Sequence, residues 1–375
     1  MVADQAALAR LFVHFAEREV TGDPLYQALC RHVAARPALL ALMQHAPPTQ
    51  RVPNLLLASV HERVLAGVPH ALREYFPSAG GLREPDAGLA ATFDEFVATQ
   101  HDALCQTLAT RSTQTNEVGR CAVLWPALCA LARRAGRSRV ALFDFGSSAG
   151  LNLGVDGYRY DYGALTLGAD GGDVPAIRCH VVGGPAALRR VAAEPPQIIE
   201  RTGVDLAPVD LRDDAQVRWL RACLWPYDAE RLARFDRAVA LARRRGWQVR
   251  RCDDCAGAIE PWLDGLPADL LPVVFNSWVL HYFEPSARAA HVQRMRALVQ
   301  RRGIAWLSAE GAHIAVGPAA AARGGDHRVS DAQLANGSLW WLTVQEPQAA
   351  APSATLLARS HPHGHWLQWL DPVPD

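Results

Sequence analysis

The sequence predicts an α/β protein in which an N-terminal helical domain precedes a doubly wound, mostly parallel sheet. Two observations lead to this class. Apolar residues recur at helical spacing over residues 1 to about 135, with proline-bearing breaks between the stripes. From Arg139 onward, short apolar runs alternate with amphipathic stretches, which is the pattern of parallel strands joined by helices.

These patterns divide the chain into a helical domain over 1–135 and an α/β domain over 136–375. A tyrosine- and glycine-rich stretch after the first strand predicts an insertion at about 155–197, built of turns and a hairpin. The segment 317–333 is expected to be a mobile loop. Strands are expected at 140–145, 198–206, 247–252, 270–280, 303–310 and 339–345, with further strands in ATLLARSH and HWLQWL.

Composition excludes several chemistries. The chain has 375 residues and equal numbers of basic and acidic residues, 38 each, so its net charge does not favour nucleic acid or an anionic membrane. All the basic residues are arginine, which excludes a lysine Schiff base and a P-loop lysine. The eight cysteines are thinly spread, and neither a secretory signal nor a membrane span is apparent. We therefore expect a cytoplasmic protein with reduced thiols.

The most informative segment is the glycine-rich turn that follows the first strand, DFGSSAGLN at 144–152. Glycines at Gly146 and Gly150 allow the backbone N–H groups to approach a ligand closely. Asp144 at the strand tip would repel a diphosphate, but it suits a cation such as the ammonium group of S-adenosylmethionine. The alternative is a packed turn that binds no ligand.

The same turn also matches G-x-S-x-G, the nucleophile elbow of serine hydrolases, with Ser148 as nucleophile. Candidate histidines follow at His281, His313 and His361. That interpretation requires an oxyanion-hole loop on an earlier strand, whereas the preceding residues are predicted to be helical.

Polar residues also stand at the ends of the later strands. Asp205 is placed to bind ribose hydroxyls, and Asp253 or Asp254 to meet an adenine amino group. Asn276 and Ser277 stand where the reactive sulfonium of the cofactor would lie. Acids at exposed strand ends are common, however, and Asn276 could equally be a core amide with satisfied hydrogen bonds.

In order along the chain, LFDFGSSAGLNL, GVDLAP, NSWVLHYFEP and RRGIAWLSAEG resemble the successive motifs of class I S-adenosylmethionine-dependent methyltransferases, and VLH is closest to members that act on small molecules. Over nearly the whole chain, TGDPLYQALCRHVA, RSTQTNEVGRC, DGYRYDYG, RTGVDLAPVDL and CLWPYDAER resemble the bacterial domain-of-unknown-function family 2332.

The methyltransferase resemblance implies a Rossmann-like core in which the glycine turn holds the amino acid part of the cofactor. The implied cofactor-binding residues are Asp144, Gly146, Ser148, Gly150, Asn152, Asp205, Asp253, Asp254, Asn276 and Ser277. Two features depart from the methyltransferase pattern: Ser148 replaces the middle glycine often found in the turn, and the insertion before Asp205 is long.

Two further groups are candidates for the acceptor site. The polar run TQTNEVGR at 113–120 either caps a helix or lines a site, and the alternating tyrosines of YRYDY either pack as a hairpin or form an aromatic wall. The general base, if one is used, would be His281 or Glu117. The substrate-binding candidates are Gln114, Asn116, Arg120, Tyr158, Tyr160 and Tyr282.

No metal site is expected, because Cys252 and Cys255 form a single pair and the histidines of HPHGH surround a proline and a glycine. We therefore predict methyl transfer from S-adenosylmethionine to a small molecule, without a nucleic-acid or membrane partner. A non-catalytic binding protein on the same fold and a serine hydrolase remain alternatives, and the oligomeric state is left open.

Overall fold

The computed structural model divides into two compact units, Met1–Thr115 with Leu211–Asp236 and Asn116–Asp210 with Arg237–Asp375. No helix among the described residues is long and apolar enough to cross a membrane. The described residues are 2–114, 116–314, 316–317 and 337–371.

The described part of the chain contains twelve α-helices and twelve strands, besides short 3₁₀ and π helices. The helices are α1 (Val2–His14), α2 (Pro24–Ala34), α3 (Pro37–Leu42), α4 (Pro53–Leu65), α5 (Leu89–Thr99), α6 (His101–Thr110), α7 (Cys121–Ala135), α8 (Ala186–Val191), α9 (Asp214–Ala222), α10 (Ala229–Arg245), α11 (Ile259–Asp264) and α12 (Pro285–Arg302). The strands are β1 (Arg139–Phe145), β2 (Arg159–Asp161), β3 (Thr166–Gly168), β4 (Ala176–Arg178), β5 (His180–Val181), β6 (Gln197–Asp205), β7 (Val249–Arg251), β8 (Leu271–Ser277), β9 (Ala305–Gly311), β10 (Ser338–Val344), β11 (Ser353–Ser360) and β12 (Trp366–Trp369).

The described residues of the first unit contain helices and connecting turns, and no strand. Three of its helices, α2, α3 and α4, begin at a proline (Pro24, Pro37 and Pro53), because proline is suited to the first helical position. The buried carboxylate of Asp23 caps α2 by accepting a hydrogen bond from the N–H of Tyr26 at 2.8 Å.

A buried histidine joins three segments of this unit. Burial lowers the pKa of His61 to about 3, so its ring is neutral and one nitrogen donates while the other accepts. Nδ1 lies 3.0 Å from the carbonyl oxygen of Ala222, the last residue of α9, and Nε2 lies 2.6 Å from Oγ of Ser78. Nδ1 therefore donates to the carbonyl and Nε2 accepts from the hydroxyl, which accounts for both ring nitrogens.

Nine strands form the central sheet of the second unit, in the order β5–β12–β11–β10–β9–β8–β1–β6–β7. The strands β7, β6, β1, β8 and β9 are parallel, whereas β9 to β12 pair antiparallel in succession. Taken in chain order, the parallel strands are arranged third, second, first, fourth, fifth, which is the doubly wound order. The predicted α/β class with a large, mostly parallel sheet is therefore confirmed.

Burial explains why the strands of this sheet could be recognised. In β1 only Arg139 is exposed, and every residue of β9 is buried. In the amino-acid sequence, strands that are covered on both faces form continuous apolar runs rather than alternating patterns. Of the predicted loop at 317–333, only Gly317 belongs to the described residues. The strands predicted at 198–206, 247–252, 270–280, 303–310 and 339–345 correspond in that order to β6, β7, β8, β9 and β10.

The segment predicted as an insertion contains a separate sheet of three strands, β3–β2–β4. Tyr158, Tyr160 and Tyr162 in and around β2 are all buried. The hydroxyls of the first two donate to the backbone carbonyls of Leu151 and Val155. The contacts of Tyr158 and Tyr160 are therefore those of packed core residues rather than of an open aromatic wall.

The side chain of Tyr162 supplies a hydrogen bond in place of a backbone hydrogen bond that α7 lacks. Pro126 lies inside this helix and has no N–H, so the carbonyl of Ala122, four residues earlier, has no helical donor at that position. The hydroxyl of Tyr162 donates to this carbonyl at 2.7 Å. A break in the backbone ladder of α7 is thereby satisfied by a side chain from the neighbouring segment.

We expect Tyr162→Phe to lower the free energy of unfolding by about 1–3 kcal/mol, because it leaves the buried carbonyl of Ala122 unpaired. Urea denaturation measures the change. In the Pro126→Ala background the helix regains its N–H donor, so the same Tyr162→Phe substitution should have a smaller effect. Equal effects in both backgrounds would show that the hydroxyl does not compensate for the proline.

Candidate functional site

The carboxyl ends of the parallel strands bring the predicted cofactor-binding residues to one edge of the sheet. In the register of β1, Asp144 pairs with Gly203 of β6 and with Phe275 of β8. Asp205 is the last residue of β6, and Ser277 is the last residue of β8. The strand order reverses at β1, and ligands of open α/β sheets bind at such a switch point.

The turn after β1 is closed by its own backbone. The N–H groups of Gly146 and Ser147 both donate to the carbonyl of Val204 at 3.0 Å, and the N–H of Gly150 donates to the carbonyl of Ser147 at 2.8 Å. The N–H of Ser148 donates to Oδ2 of the Asp205 carboxylate at 2.8 Å. These four N–H groups already have partners within the protein and are therefore not available to a ligand.

The glycines of the turn are required by packing. Gly146 and Gly150 have φ values of +74° and +73°, a region that favours glycine. A Cβ atom on Gly146 would lie 2.5 Å from Cγ2 of Val279, and one on Gly150 would lie 2.8 Å from Cγ2 of Val249. The space above each glycine is therefore filled by a valine, not left open for a ligand as the sequence suggested.

Asp144 is a buried carboxyl, 2% exposed, at the centre of this edge. Burial raises its pKa to about 7, with a smaller contribution from the charge of Asp205 in the same direction. The hydroxyl of Ser147, which donates to Oδ2 at 2.8 Å, and the charge of Arg120 act to lower the pKa. A carboxyl that titrates near neutrality in a buried position is typical of functional sites.

Asp205 anchors the turn from the end of β6. Its Oδ2 accepts from the N–H of Ser148 and its Oδ1 from the N–H of Ala207, both at 2.8 Å. An ionised carboxylate has about four lone-pair positions. These two bonds leave acceptor capacity on each oxygen, and the side chain is only partly buried.

The acids after β7 are exposed. Asp253 and Asp254 both lie at the surface of the second unit. Oδ1 of Asp254 accepts from the N–H of Gly257 at 2.8 Å and lies 3.8 Å from Nη1 of Arg294. These contacts form a local turn. They do not test the prediction that Asp253 or Asp254 binds adenine.

The polar run at 113–120 contributes one residue that supports the turn region and one that caps a local 3₁₀ helix. Oδ1 of Asn116 accepts from the N–H of Leu151 at 2.8 Å, where a short 3₁₀ helix begins after the glycine turn. Oε1 of the buried Glu117 accepts from the N–H of Gly119 at 2.8 Å. Gln114 belongs to the first unit. Glu117 therefore caps the short 3₁₀ helix Val118–Arg120, whereas the cap was predicted at Asn116 or Thr115; Asn116 instead bonds to a distant segment, and Thr115 lies outside the described residues.

Arg120 brings a buried positive charge to the end of β8. Its Nη1 lies 3.3 Å from both the carbonyl oxygen and Oγ of Ser277, and its Nε donates to the carbonyl of Pro362 at 2.9 Å. The guanidinium also lies over the ring of Trp278, 5.8 Å from its centroid. Arg120, one of the predicted substrate-binding residues, is thereby held against the end of β8.

Both polar atoms of the Asn276 side chain are hydrogen-bonded to residues of β9. Its Nδ2 donates to Oγ of Ser308 at 3.0 Å and to Oε1 of Glu310 at 2.8 Å, and its Oδ1 accepts from the indole of Trp306 at 2.7 Å. Asn152, another predicted ligand-binding amide, accepts from Sγ of Cys121 at 3.4 Å. Both amides have the contacts of core residues.

The loop after β8 carries the remaining candidates. Burial lowers the pKa of His281 to about 4, and the charges of Arg120 and His313 act in the same direction. The neighbouring Tyr282 is 65% exposed. Trp278, which begins this loop, has a φ of +56°, unusual for a large side chain. An imidazole that is neutral at pH 7 can accept a proton.

Sequence reasoning missed Glu310, which is 1% exposed at the end of β9. Burial raises its pKa, opposed by the hydrogen bonds that it accepts from Val279, Leu280 and Asn276 and by the charge of Arg120. A single acid in the apolar run GIAWLSAEG was a visible signal, because isolated charges are rarely buried without a partner.

Neither cysteines nor histidines form a metal centre within the ranges that the structure covers. Burial raises the pKa of Cys255 to about 12, and its Sγ contacts the carbonyl of Cys252. The rings of His361 and His365 stack at 4.3 Å between centroids. Parallel stacked rings cannot both direct a nitrogen at one ion.

We expect Asp144→Asn to raise the free energy of unfolding relative to wild type. This increase should be about 2–3 kcal/mol larger at pH 8 than at pH 5. A carboxyl with a raised folded-state pKa holds its proton more tightly when folded. Stability is therefore lost as the pH rises from about 4, the unfolded pKa, to about 7. Denaturation at both pH values checks this, with exposed Asp269→Asn as control. Equal pH dependence in wild type and Asp144→Asn would contradict it.

Comparison with known proteins identifies the family of the chain but not its activity. No curated protein and no solved structure matches the chain. A family profile described as "Uncharacterized protein conserved in bacteria (DUF2332)" matches residues 9–369. The resemblance to this family that the sequence suggested is thereby confirmed, and the chain belongs to the DUF2332 family of bacterial proteins.

Proposed function

We propose that the protein transfers a methyl group from S-adenosylmethionine to a small molecule, on a sheet of the class I methyltransferase type. The observation that carries the proposal is the pairing of two acids at adjacent strand ends. Asp144 at the end of β1 and Asp205 at the end of β6 are joined through the N–H of Ser148 and the hydroxyl of Ser147. The strand order, with the switch point at β1, supports this interpretation.

The buried carboxyl of Asp144 fits the ammonium group of the cofactor. In the absence of a cation, burial disfavours its ionised form and raises its pKa to about 7. An ammonium within hydrogen-bond reach would favour ionisation, so binding and ionisation would reinforce each other. The space above Gly146 is filled by Val279, and the methionine part would therefore lie beside the turn, against side chains.

Asp205 fits the ribose. Each of its carboxylate oxygens accepts one backbone N–H, from Ser148 or from Ala207, and each retains a lone pair directed elsewhere. Two adjacent ribose hydroxyls can donate to these positions. The bonds to the turn also hold the carboxylate in a fixed orientation, which reduces the entropy lost on binding.

The bound cofactor supplies an electrophilic methyl group, and the protein's contribution is chiefly to align an acceptor with it. His281 is the candidate base: its ring is neutral at pH 7, although the lowering of its pKa to about 4 makes it a weaker base than a free imidazole. Glu117, the other candidate base, is buried, and its Oε1 accepts from the N–H of Gly119. Exposed Tyr282 borders the same loop.

Calorimetric titration with S-adenosylmethionine and with S-adenosylhomocysteine tests the proposal. We expect micromolar binding, about −8 kcal/mol. Asp144→Asn removes the charge but keeps an acceptor for Ser147, and we expect it to weaken binding at least tenfold, by about 1.4 kcal/mol. Asp269→Asn, an exposed acid that pairs with Arg139, serves as the matched control and should bind as wild type does.

The outcomes separate the alternatives. No binding of either ligand at millimolar concentration contradicts the proposal. Binding without label transfer from methyl-labelled S-adenosylmethionine to any acceptor in a broad small-molecule panel would favour the non-catalytic binding protein. Equal binding in the Asp144 variant would place the ligand elsewhere on the protein.

A serine hydrolase is the second candidate, favoured by one observation. Ser148 occupies the central position of G-x-S-x-G with a φ of +53°, which is unusual for a serine and resembles the strained turn of a nucleophile elbow. A fluorophosphonate probe should then label the wild-type protein but not Ser148→Ala, with Ser147→Ala as the neighbouring control. Absence of labelling in the wild type contradicts this candidate.

A further inference from the structure

The chain leaves the central sheet at the end of β8. The ladder between β8 and β9 ends with Ser277 opposite Ala309, and the N–H of Trp278 adds one more hydrogen bond, to the carbonyl of Ala309 at 2.9 Å. The N–H groups of the next two residues, Val279 and Leu280, lie beyond this ladder. Backbone donors inside a protein need partners, so the loop requires an acceptor that the neighbouring strand does not supply through its backbone.

The side chain of Glu310 supplies this acceptor. Its Oε1 accepts from the N–H groups of Val279 and Leu280 at 3.0 and 3.2 Å. The same oxygen accepts from Nδ2 of Asn276 at 2.8 Å. Glu310 belongs to β9 and is 1% exposed, and Asn276 belongs to β8. One buried carboxyl oxygen therefore joins the start of the loop to both strands.

The backbone that these bonds hold is strained. Trp278 has a φ of +56°, in the left-handed region that a large side chain rarely adopts. Such conformations persist only where the surrounding structure imposes them, and they cluster at functional sites. Here the loop is held by the hydrogen bonds to Glu310 and by the indole Nε1 of Trp278, which donates to Oγ of Ser338 at 2.7 Å.

Two side chains of the loop reach the candidate site. Val279 packs against the glycine turn, since its Cγ2 lies 2.5 Å from the position that a Cβ atom on Gly146 would take. The His281 ring lies beside the rings of Trp278 and Tyr282, with centroid distances of 5.6 and 3.8 Å. Nδ1 of His281 is buried and has no hydrogen-bond partner among the described residues. Ring packing and the loop backbone, rather than a bond to Nδ1, therefore orient this imidazole.

We propose that Glu310 is a positioning residue, which holds the loop 278–282 in its strained conformation and thereby places His281 and Val279 at the candidate site. Without the acceptor, two backbone N–H groups lose their partners and the loop relaxes away from the sheet. The role of the positioned His281 ring as a base rests on the proposed function, whereas the placement of the loop does not.

Two conservative substitutions separate the reach of the Glu310 side chain from its charge. Glu310→Asp keeps the carboxyl group but is one methylene shorter, so its oxygens do not meet the loop N–H groups where they now lie. Glu310→Gln removes the charge but keeps a carbonyl for all three donors. It breaks no bond at Oε2, which has no partner within the described ranges. Because Glu310 acts through position, only Glu310→Asp should release the loop.

Nitrogen-15 NMR of the histidine rings measures the change at His281, and the spectrum of His281→Asn assigns its resonances. Burial lowers the pKa of His281 to about 4, and the charges of Arg120 and His313 act in the same direction. The ring released in Glu310→Asp should bind a proton at least tenfold more tightly than in wild type, because it loses the burial that disfavours its charge. In Glu310→Gln the ring should titrate as it does in wild type.

His61 is the internal control for a general loss of structure. It is buried in the first unit and its pKa is lowered to about 3, so its ring should stay neutral from pH 5 to pH 8 in all three proteins. An unchanged His281 in folded Glu310→Asp would overturn the proposal, as would a changed His281 in Glu310→Gln.

Hydrogen exchange provides a measurement on the wild-type protein that does not depend on the Asp variant being folded. The amide hydrogens of Val279 and Leu280 should exchange at least tenfold more slowly than in an unstructured peptide of the same sequence, because both are bonded to Glu310. Glu310→Gln should keep this protection. Unprotected amides in wild type would overturn the proposal.

Titration of the same proteins with S-adenosylhomocysteine separates the positioning role from the proposed function. We expect Glu310→Gln to bind this ligand within threefold of wild type and Glu310→Asp to bind it at least tenfold more weakly, because Val279 no longer packs against the glycine turn. Equal affinities in all three proteins would overturn the placement of Val279. The expected NMR results without any binding of the ligand by wild type would contradict the proposed function alone.

Discussion

The carbonyl oxygen of Val204 constrains the arrangement at the sheet edge. It accepts the N–H groups of both Gly146 and Ser147 at 3.0 Å, so the chain leaving β1 turns back toward β6. Because the turn bends in this direction, the N–H of Ser148 meets the Asp205 carboxylate and the Ser147 hydroxyl reaches Asp144. The carbonyl of Val204 thus fixes where the turn lies relative to both acids, Asp144 on β1 and Asp205 on β6. The glycines permit this bend without themselves forming a ligand pocket.

A single buried guanidinium polarises the remainder of the edge. The charge of Arg120 acts to lower the pKa values of Asp144 and Glu310, yet burial is the larger effect for both acids and raises them. For His281 the two effects agree, and the imidazole is held neutral. The region therefore combines one fixed positive charge with groups whose protonation depends on what binds beside them. Environments that shift the pKa values of neighbouring groups in opposite directions are the physical basis of acid and base roles in one site.

The sequence predicted those parts of the fold that depend on local patterning and sheet geometry. Strands buried on both faces form apolar runs in the sequence, and the carboxyl ends of parallel strands share an edge. Asp144 and Asp205 could therefore be placed at the same edge from their positions at predicted strand ends, despite the long insertion between them. Contacts between distant segments could not be predicted. That Val279 fills the space above Gly146 depends on how the loop after β8 packs. The role of Glu310 depends on the register between β8 and β9.

The chemistry of Asp144 distinguishes a packed turn from a binding site. The turn is closed by its own N–H groups, and the only hydrogen bond that Ser147 makes to position 144 could be accepted equally well by an asparagine. An amide would avoid the loss of stability that a buried ionisable group brings as the pH rises toward neutrality. Packing alone therefore does not account for an acid at this position. Under the proposed function, a cation beside Asp144 would account for the acid, because only an ionised carboxylate converts the burial that disfavours its charge into affinity for an opposite one.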